Sequence, residues 1–184
     1  MFTEEQGRLL TRLARAAIAR ELGETAAAPP HPDWLAAPGA VFVTLTEAGN
    51  LRGCIGSLEA HRPLGRDVEE NARAAAFRDP RFPPLRREEL ARVRVEVSVL
   101  TPATPMAFKD EADALAQLRP GVDGEILEDG WHRATFLPQV WERLPDVKTF
   151  IGHLKQKAGL AAEAWSKQTR LSRYGVEKFK EAPK

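Results

Sequence analysis

Cys54 is the only cysteine in the chain, and it stands in the hexapeptide Leu51-Arg52-Gly53-Cys54-Ile55-Gly56, between two glycines and two residues after an arginine. A thiolate is a nucleophile, and nearby positive charge draws a thiol's pKa down toward neutrality. If the hexapeptide is a β-strand, side chains alternate, so Arg52 and Cys54 share one face while Leu51 and Ile55 share the other. Gly56 then leaves the Cys54 face uncovered. Glycine inside a strand marks a bulge, or a place where a ligand or another backbone comes close. Two readings follow: a reactive thiol in a cleft with Arg52 holding an anionic substrate, or a bulged strand packed tightly on a helix with Cys54 as a small buried hydrophobe.

A second group is framed by prolines in Asp79-Pro80-Arg81-Phe82-Pro83-Pro84. Proline fixes φ and removes a donor, so this loop is stiff and can position side chains. Arg81 can hold a carboxylate or phosphate bidentately. The same residues also read as a structural Asp79–Arg81 pair tying the loop to the sheet, with Phe82 in the core or lining a cleft. A general base is harder to place, because His31, His61, His132 and His153 are scattered along the chain. His132, in the middle of a strand, is the best candidate, set against a surface or core-capping role. No histidine or cysteine pair has metal-ligand spacing, and the glycines do not form a phosphate-binding loop. No metal or cofactor is expected.

These residues must be held by the elements around them. Thr3-Glu4-Glu5-Gln6 has the form of a capping box, followed by Leu9, Leu10, Leu13, Ala17 and Leu22 at helical spacing and a stop at Gly23. Trp34 and Leu35 anchor a long connection. Ala40–Leu45 and the hexapeptide strand, read as Leu51–Leu58, form a hairpin through Glu47-Ala48-Gly49-Asn50. A helix then opens near Pro63 and carries Leu64, Val68, Ala72 and Ala75 inward. Val93–Leu100 alternates with period two. A short helix over 111–118 buries Ala112, Leu115 and Leu118, and a second hairpin turns at Asp129-Gly130 and returns over 131–137. Trp131 is expected in the core or lining a cleft. Asp146 caps a final helix bearing Phe150, Ile151, Leu154 and Ala158, ended by Gly159, and 171–179 closes the chain as a strand. Hairpin, helix, strand, helix, hairpin, helix is an α+β order with antiparallel pairing. The strands at 40–45, 51–58, 93–100 and 131–137 are expected in one sheet.

The chain has 184 residues, long enough for one domain with a substantial core, and a single domain over 1–184 is expected. Lys+Arg number 27 against 26 Asp+Glu, a formal net charge of +1, so the electrostatic footprint of a nucleic-acid or anionic-membrane binder is missing. A lone thiol suits a reducing compartment, and the acidic, polar start does not read as a signal peptide. No stretch approaches the ~20 apolar residues of a membrane span. A cytoplasmic protein is expected.

The hexapeptide resembles the signature of the AMMECR-one domain family, also called AmmeMemoRadiSam system protein A. The similarity continues through Asp79–Leu85, Val93–Leu100, Gly121-Val122-Asp123-Gly124, Phe136-Leu137-Pro138-Gln139-Val140 and Lys157-Ala158-Gly159-Leu160, spanning most of the chain. The resemblance implies a duplicated β/α arrangement around a barrel-like, mostly antiparallel sheet with a cleft, but no settled reaction. Two function classes stay open. One is a small cytosolic enzyme with Cys54 as reactive thiol and Arg52 as anion holder, its site completed by Gly53, Ile55, Gly56, Asp79, Arg81, Phe82 and His132. The other is a binding component, without turnover, that acts with Memo-like and radical-SAM proteins, as the family's longer name implies.

Overall fold

A computed structural model describes residues 1–182. The chain divides into two compact units, one built from Met1–Leu100 with the chain from Glu177 on, the other from Thr101–Val176. Both are α+β, and each carries a four-stranded antiparallel sheet, so the β/α arrangement is duplicated. Neither sheet closes on itself.

The first unit opens with helix α1 (Glu4–Glu21), started by the expected capping box: Gln6 N–H donates to Thr3 Oγ1 and Thr3 N–H to Gln6 Oε1. After a 3-10 turn at Asp33–Ala36 come β1 (Pro38–Gly39), β2 (Val41–Glu47), β3 (Asn50–Gly56), β4 (Arg62–Pro63), α2 (Leu64–Phe77), a second 3-10 turn at Arg87–Glu89 and β5 (Val93–Leu100). The second unit holds β6 (Thr104–Pro105), α3 (Glu111–Gln117), β7 (Gly124–Asp129), β8 (His132–Phe136), a 3-10 turn at Pro138–Glu142, α4 (Val147–Lys157) and β9 (Arg170–Tyr174). Strand β10 (Val176–Lys180) returns to the first sheet, whose order is β10-β5-β2-β3.

Alternation explains the first sheet. Val41, Val43 and Leu45 of β2 and Val93, Val95, Val97 and Val99 of β5 are buried against Leu10, Leu13 and Ile18 of α1 and Val68, Ala72 and Ala75 of α2. Ile55 is partly buried and packs on the same cluster. In the second unit, Leu127, Leu171, Phe150, Ile151, Leu154 and Trp141 form a separate core, with Trp141 stacked on Phe150 at 3.6 Å.

Several sequence expectations are corrected. The strand expected over 131–137 pairs in the second sheet, order β6-β9-β7-β8, and not with the hexapeptide hairpin. Its turn is shifted by one residue: Asp129 pairs with His132, leaving Gly130 and Trp131 as the loop, with Gly130 at φ 61°. Trp131 is therefore at a hairpin tip and 87% exposed, not core or cleft lining. In α3, Ala114 takes the buried place expected of Ala112, because Ala114 is four residues before buried Leu118 and shares its face, while Ala112 is exposed. The closing strand over 171–179 is two strands, β9 and β10, in different sheets.

Candidate functional site

Strand β3 lies at the edge of the first sheet, and its pairing with β2 slips once: Leu45 faces Gly53, while Thr46 faces Leu51. Arg52 is the extra residue of a β-bulge. The bulge breaks the strict alternation expected across the hexapeptide. Leu51 is 43% exposed while Ile55 packs on the core, so these two do not share a face. Arg52 turns to Glu89, donating from Nε at 2.9 Å and from Nη2 at 3.3 Å.

Each glycine has a contact inside the protein that requires it. A Cβ at Gly53 would stand 2.1 Å from the Ala75 carbonyl oxygen, so β3 crosses α2 at a distance no side chain permits. A Cβ at Gly56 would stand 2.3 Å from the ring of Phe42, its cross-strand partner, which lies over the bare glycine. The openings at Gly53 and Gly56 are thus filled by α2 backbone and an aromatic ring.

The outer edge of β3 at Cys54 is closed by side chains. Cys54 N–H donates to Asp79 Oδ2 at 2.9 Å, and Arg81 Nη2 donates to the Cys54 carbonyl at 3.2 Å. Arg81 also grips Asp79, Nη2 to Oδ2 at 2.7 Å and Nε to Oδ1 at 3.0 Å. An ion pair thereby occupies the place a further strand would take. The Arg81 guanidinium and the N–H groups of Cys54 and Arg81 hold the Asp79 carboxyl far below the usual carboxylate range. Arg52, helped by the Arg86 N–H, holds Glu89 down at about 2. Phe82 lies between the two arginines, its ring centroid 5.9 Å from the Arg52 guanidinium carbon and 5.6 Å from that of Arg81. Arg52 Nη1 is buried with no hydrogen-bond partner.

The thiol itself is half-buried, its Sγ 3.2 Å from Thr44 Oγ1 on the facing strand. Thr44 is paired on its other side with Glu96, which meets Lys180 at 2.8 Å, so Cys54, Thr44, Glu96 and Lys180 form a polar row on the sheet face away from α1 and α2. In this unit His31 sits 3.7 Å from Glu69, and His61 Nδ1 is 2.9 Å from the Glu59 carbonyl. His132 belongs to the second unit, where Nδ1 is 2.8 Å from the Ala158 carbonyl at the end of α4 and the ring stacks on Trp131. Arg52, Cys54, Asp79, Arg81 and Phe82 are thus assembled around one edge. No group of three or more metal-binding side chains occurs among the described residues.

Glu89, Thr44 and Glu125 carry weight that sequence reasoning missed. Glu125, on β7, is buried with neither carboxylate oxygen hydrogen-bonded, and burial, reinforced by the charge of Asp123, pushes its pKa up to about 8. Period two does signal it, because Glu125 is two residues from buried Leu127 and so shares its face. For Glu89 no local signal exists, since its partner is distant in sequence.

The AMMECR1 family model matches residues 11–179. A protein of Methanothermobacter thermautotrophicus is 42% identical over 97% of this chain and 96% of its own length. One from Saccharolobus solfataricus is 39% identical over 97% of this chain and 82% of its own. The crystal structure of an uncharacterized protein from Pyrococcus horikoshii superposes with a TM-score of 0.80 at 35% identity, covering 98% of this chain and 93% of that one.

Proposed function

The chain belongs to the AMMECR1 family, and from that premise we propose that it is a binding component, with the hexapeptide edge serving as a preformed recognition surface. One observation carries this reading: the groups around Cys54 that could activate a thiol or hold a substrate anion are bonded within the chain. Arg52 is spent on Glu89, and Arg81 on Asp79 and the Cys54 carbonyl. Each carboxylate is in turn spent on its arginine and on a backbone N–H. Such a network rigidifies a surface, and rigid surfaces bind at low ordering cost. The occupants that the family resemblance implies are Memo-like and radical-SAM proteins.

The test is co-purification of the chain with a Memo-like and a radical-SAM protein of the same organism. Wild type and Cys54→Ser are expected to retain a partner, while Leu51→Glu, which places a charge on the exposed bulge, loses it. Retention by Leu51→Glu overturns the surface assignment. The reactive-thiol reading keeps one observation in its favour, a half-exposed Cys54 beside Thr44. Alkylation by iodoacetamide separates the two. Modification of the folded protein faster than a free cysteine, and slowed by Arg52→Ala, would favour the enzyme.

A further inference from the structure

A cavity of about 730 Å³ in the second unit lies between residues 106–110, which follow β6, and residues 165–170, which lead into β9 and include its first residue. That volume is within the ~300–1,000 Å³ of small-molecule sites. Its two walls differ in chemistry. Phe108 and Trp165, half-buried with ring centroids 5.5 Å apart, form an aromatic side together with Met106. Lys109, Lys167 and Arg170 are exposed around it, and none of them enters an ion pair among the described residues. The acid at the cavity, Asp110, has its carboxylate engaged as the N-cap of α3, accepting from Asp113 N–H.

Both walls are held in place before any ligand arrives. Ser166 Oγ and Thr169 Oγ1 both donate to Asp129 Oδ2, at 2.8 and 2.6 Å, and Thr169 N–H closes the turn on the Ser166 carbonyl, which brackets Lys167 and sets Arg170 at the start of β9. Opposite, Met106 N–H donates to the Leu171 carbonyl, continuing the β6–β9 pairing. Lys109, Lys167 and Arg170 outnumber the one acid of the lining, Asp110, and although the charge of Lys109 is also felt by Asp113, the concavity keeps an excess of positive charge that an anion can meet. Phe108 and Trp165, tilted 55° to each other, offer aromatic surface to a planar ring, and Lys155 Nζ, 5.3 Å from the Trp165 centroid, adds a further cation against that indole.

We propose that this cavity binds a small phosphate ester of a planar ring, of mononucleotide size, with the ring on Phe108 and Trp165 and the phosphate among Lys109, Lys167 and Arg170. The site lies wholly within the second unit, so its fate does not bear on the hexapeptide surface.

Calorimetric titration of the full chain with AMP tests it, with adenosine and inorganic phosphate as separate arms. Saturable one-to-one binding of AMP is expected, weakened about tenfold or more for either fragment alone, because ring and phosphate then lose their connection. The double variant Lys167→Glu, Arg170→Glu changes exposed side chains and should keep the native circular dichroism while losing AMP at least about tenfold. Lys178→Glu, an exposed charge outside the cavity, should change nothing. Trp165→Leu should weaken AMP while sparing phosphate. No binding of AMP, equal binding of inorganic phosphate, or an unchanged affinity in the folded double variant would each overturn the proposal.

Discussion

Asp79 and Arg81 are joined at 2.7 Å and between them take both main-chain groups of Cys54, the carboxylate accepting its N–H and the guanidinium donating to its carbonyl. The carboxylate is buried and the arginine is half exposed, so the two are not equivalent. Asp79→Ala strands the Cys54 N–H and should cost about 2–4 kcal/mol in urea unfolding. Arg81→Ala, which leaves the carboxylate its two backbone donors, should cost about half as much. Equal effects would show that the pair, and not the edge-closing carboxylate, dominates.

The glycines of the hexapeptide make a paired prediction. Gly53→Ala drives a methyl into the Ala75 carbonyl, and helix backbone cannot step aside, so a loss of about 3 kcal/mol or more is expected. Gly56→Ala meets a ring that can move. In the Phe42→Ala background its cost should largely vanish, whereas that of Gly53→Ala should persist. Thermal melts of the two double-mutant cycles, six proteins in all, decide it.

Glu125 should make stability depend on pH. Its folded pKa, about 8, is raised above the ordinary 4.5, so the folded state holds a proton that the unfolded chain releases. Its contribution is therefore fully present below about pH 4.5 and lost as pH rises toward 8, at up to about 1.4 kcal/mol per pH unit. Asp123, Arg173, Arg119 and Tyr174 are the charged or titratable groups that act on it or feel it. Glu125→Gln should flatten that slope in denaturant titrations between pH 5 and 8. A slope unchanged in the variant would assign the dependence elsewhere.

At the opposite end of the scale, Asp79 and Glu89 have folded pKa values below their ordinary ones. What they contribute is present above about pH 4.5 and lost as pH falls through the lowered values. Glu89→Gln should remove part of the acid loss and, by leaving Arg52 buried without its counter-charge, cost about 3–5 kcal/mol at neutral pH. Acid unfolding monitored by tryptophan fluorescence measures both.

The hairpin joining β2 and β3 turns on Ala48 at φ 48° and Gly49 at φ 81°. Left-handed backbone strains alanine by roughly 1–2 kcal/mol, and asparagine tolerates it better. Ala48→Asn should raise the melting temperature by about 2–4 °C. A fall in Tm would mean that the alanine methyl packs better than the turn requires.

The elements that depend on nearest neighbours were legible in the chain itself. The Thr3 capping box, the Asp146 cap, the period-two run of Val93–Leu100 and the glycine stops at Gly23 and Gly159 each follow from a few adjacent residues, and each is present in the fold. The candidate site was half legible: Arg52, Cys54, Asp79, Arg81 and Phe82 do gather at one edge. How they gather was not written in their spacing. The bulge at Arg52 re-aims the hexapeptide, Glu89 claims the arginine from across the fold, and Ala75 and Phe42 fill the openings at Gly53 and Gly56. Likewise β8 joined the second sheet, although its alternation fits any antiparallel partner. Local patterns state which way a residue would point along an ideal element, but register slips, sheet membership and ion-pair partners are set by residues far apart in sequence. Their energies exist only once the chain has closed on itself.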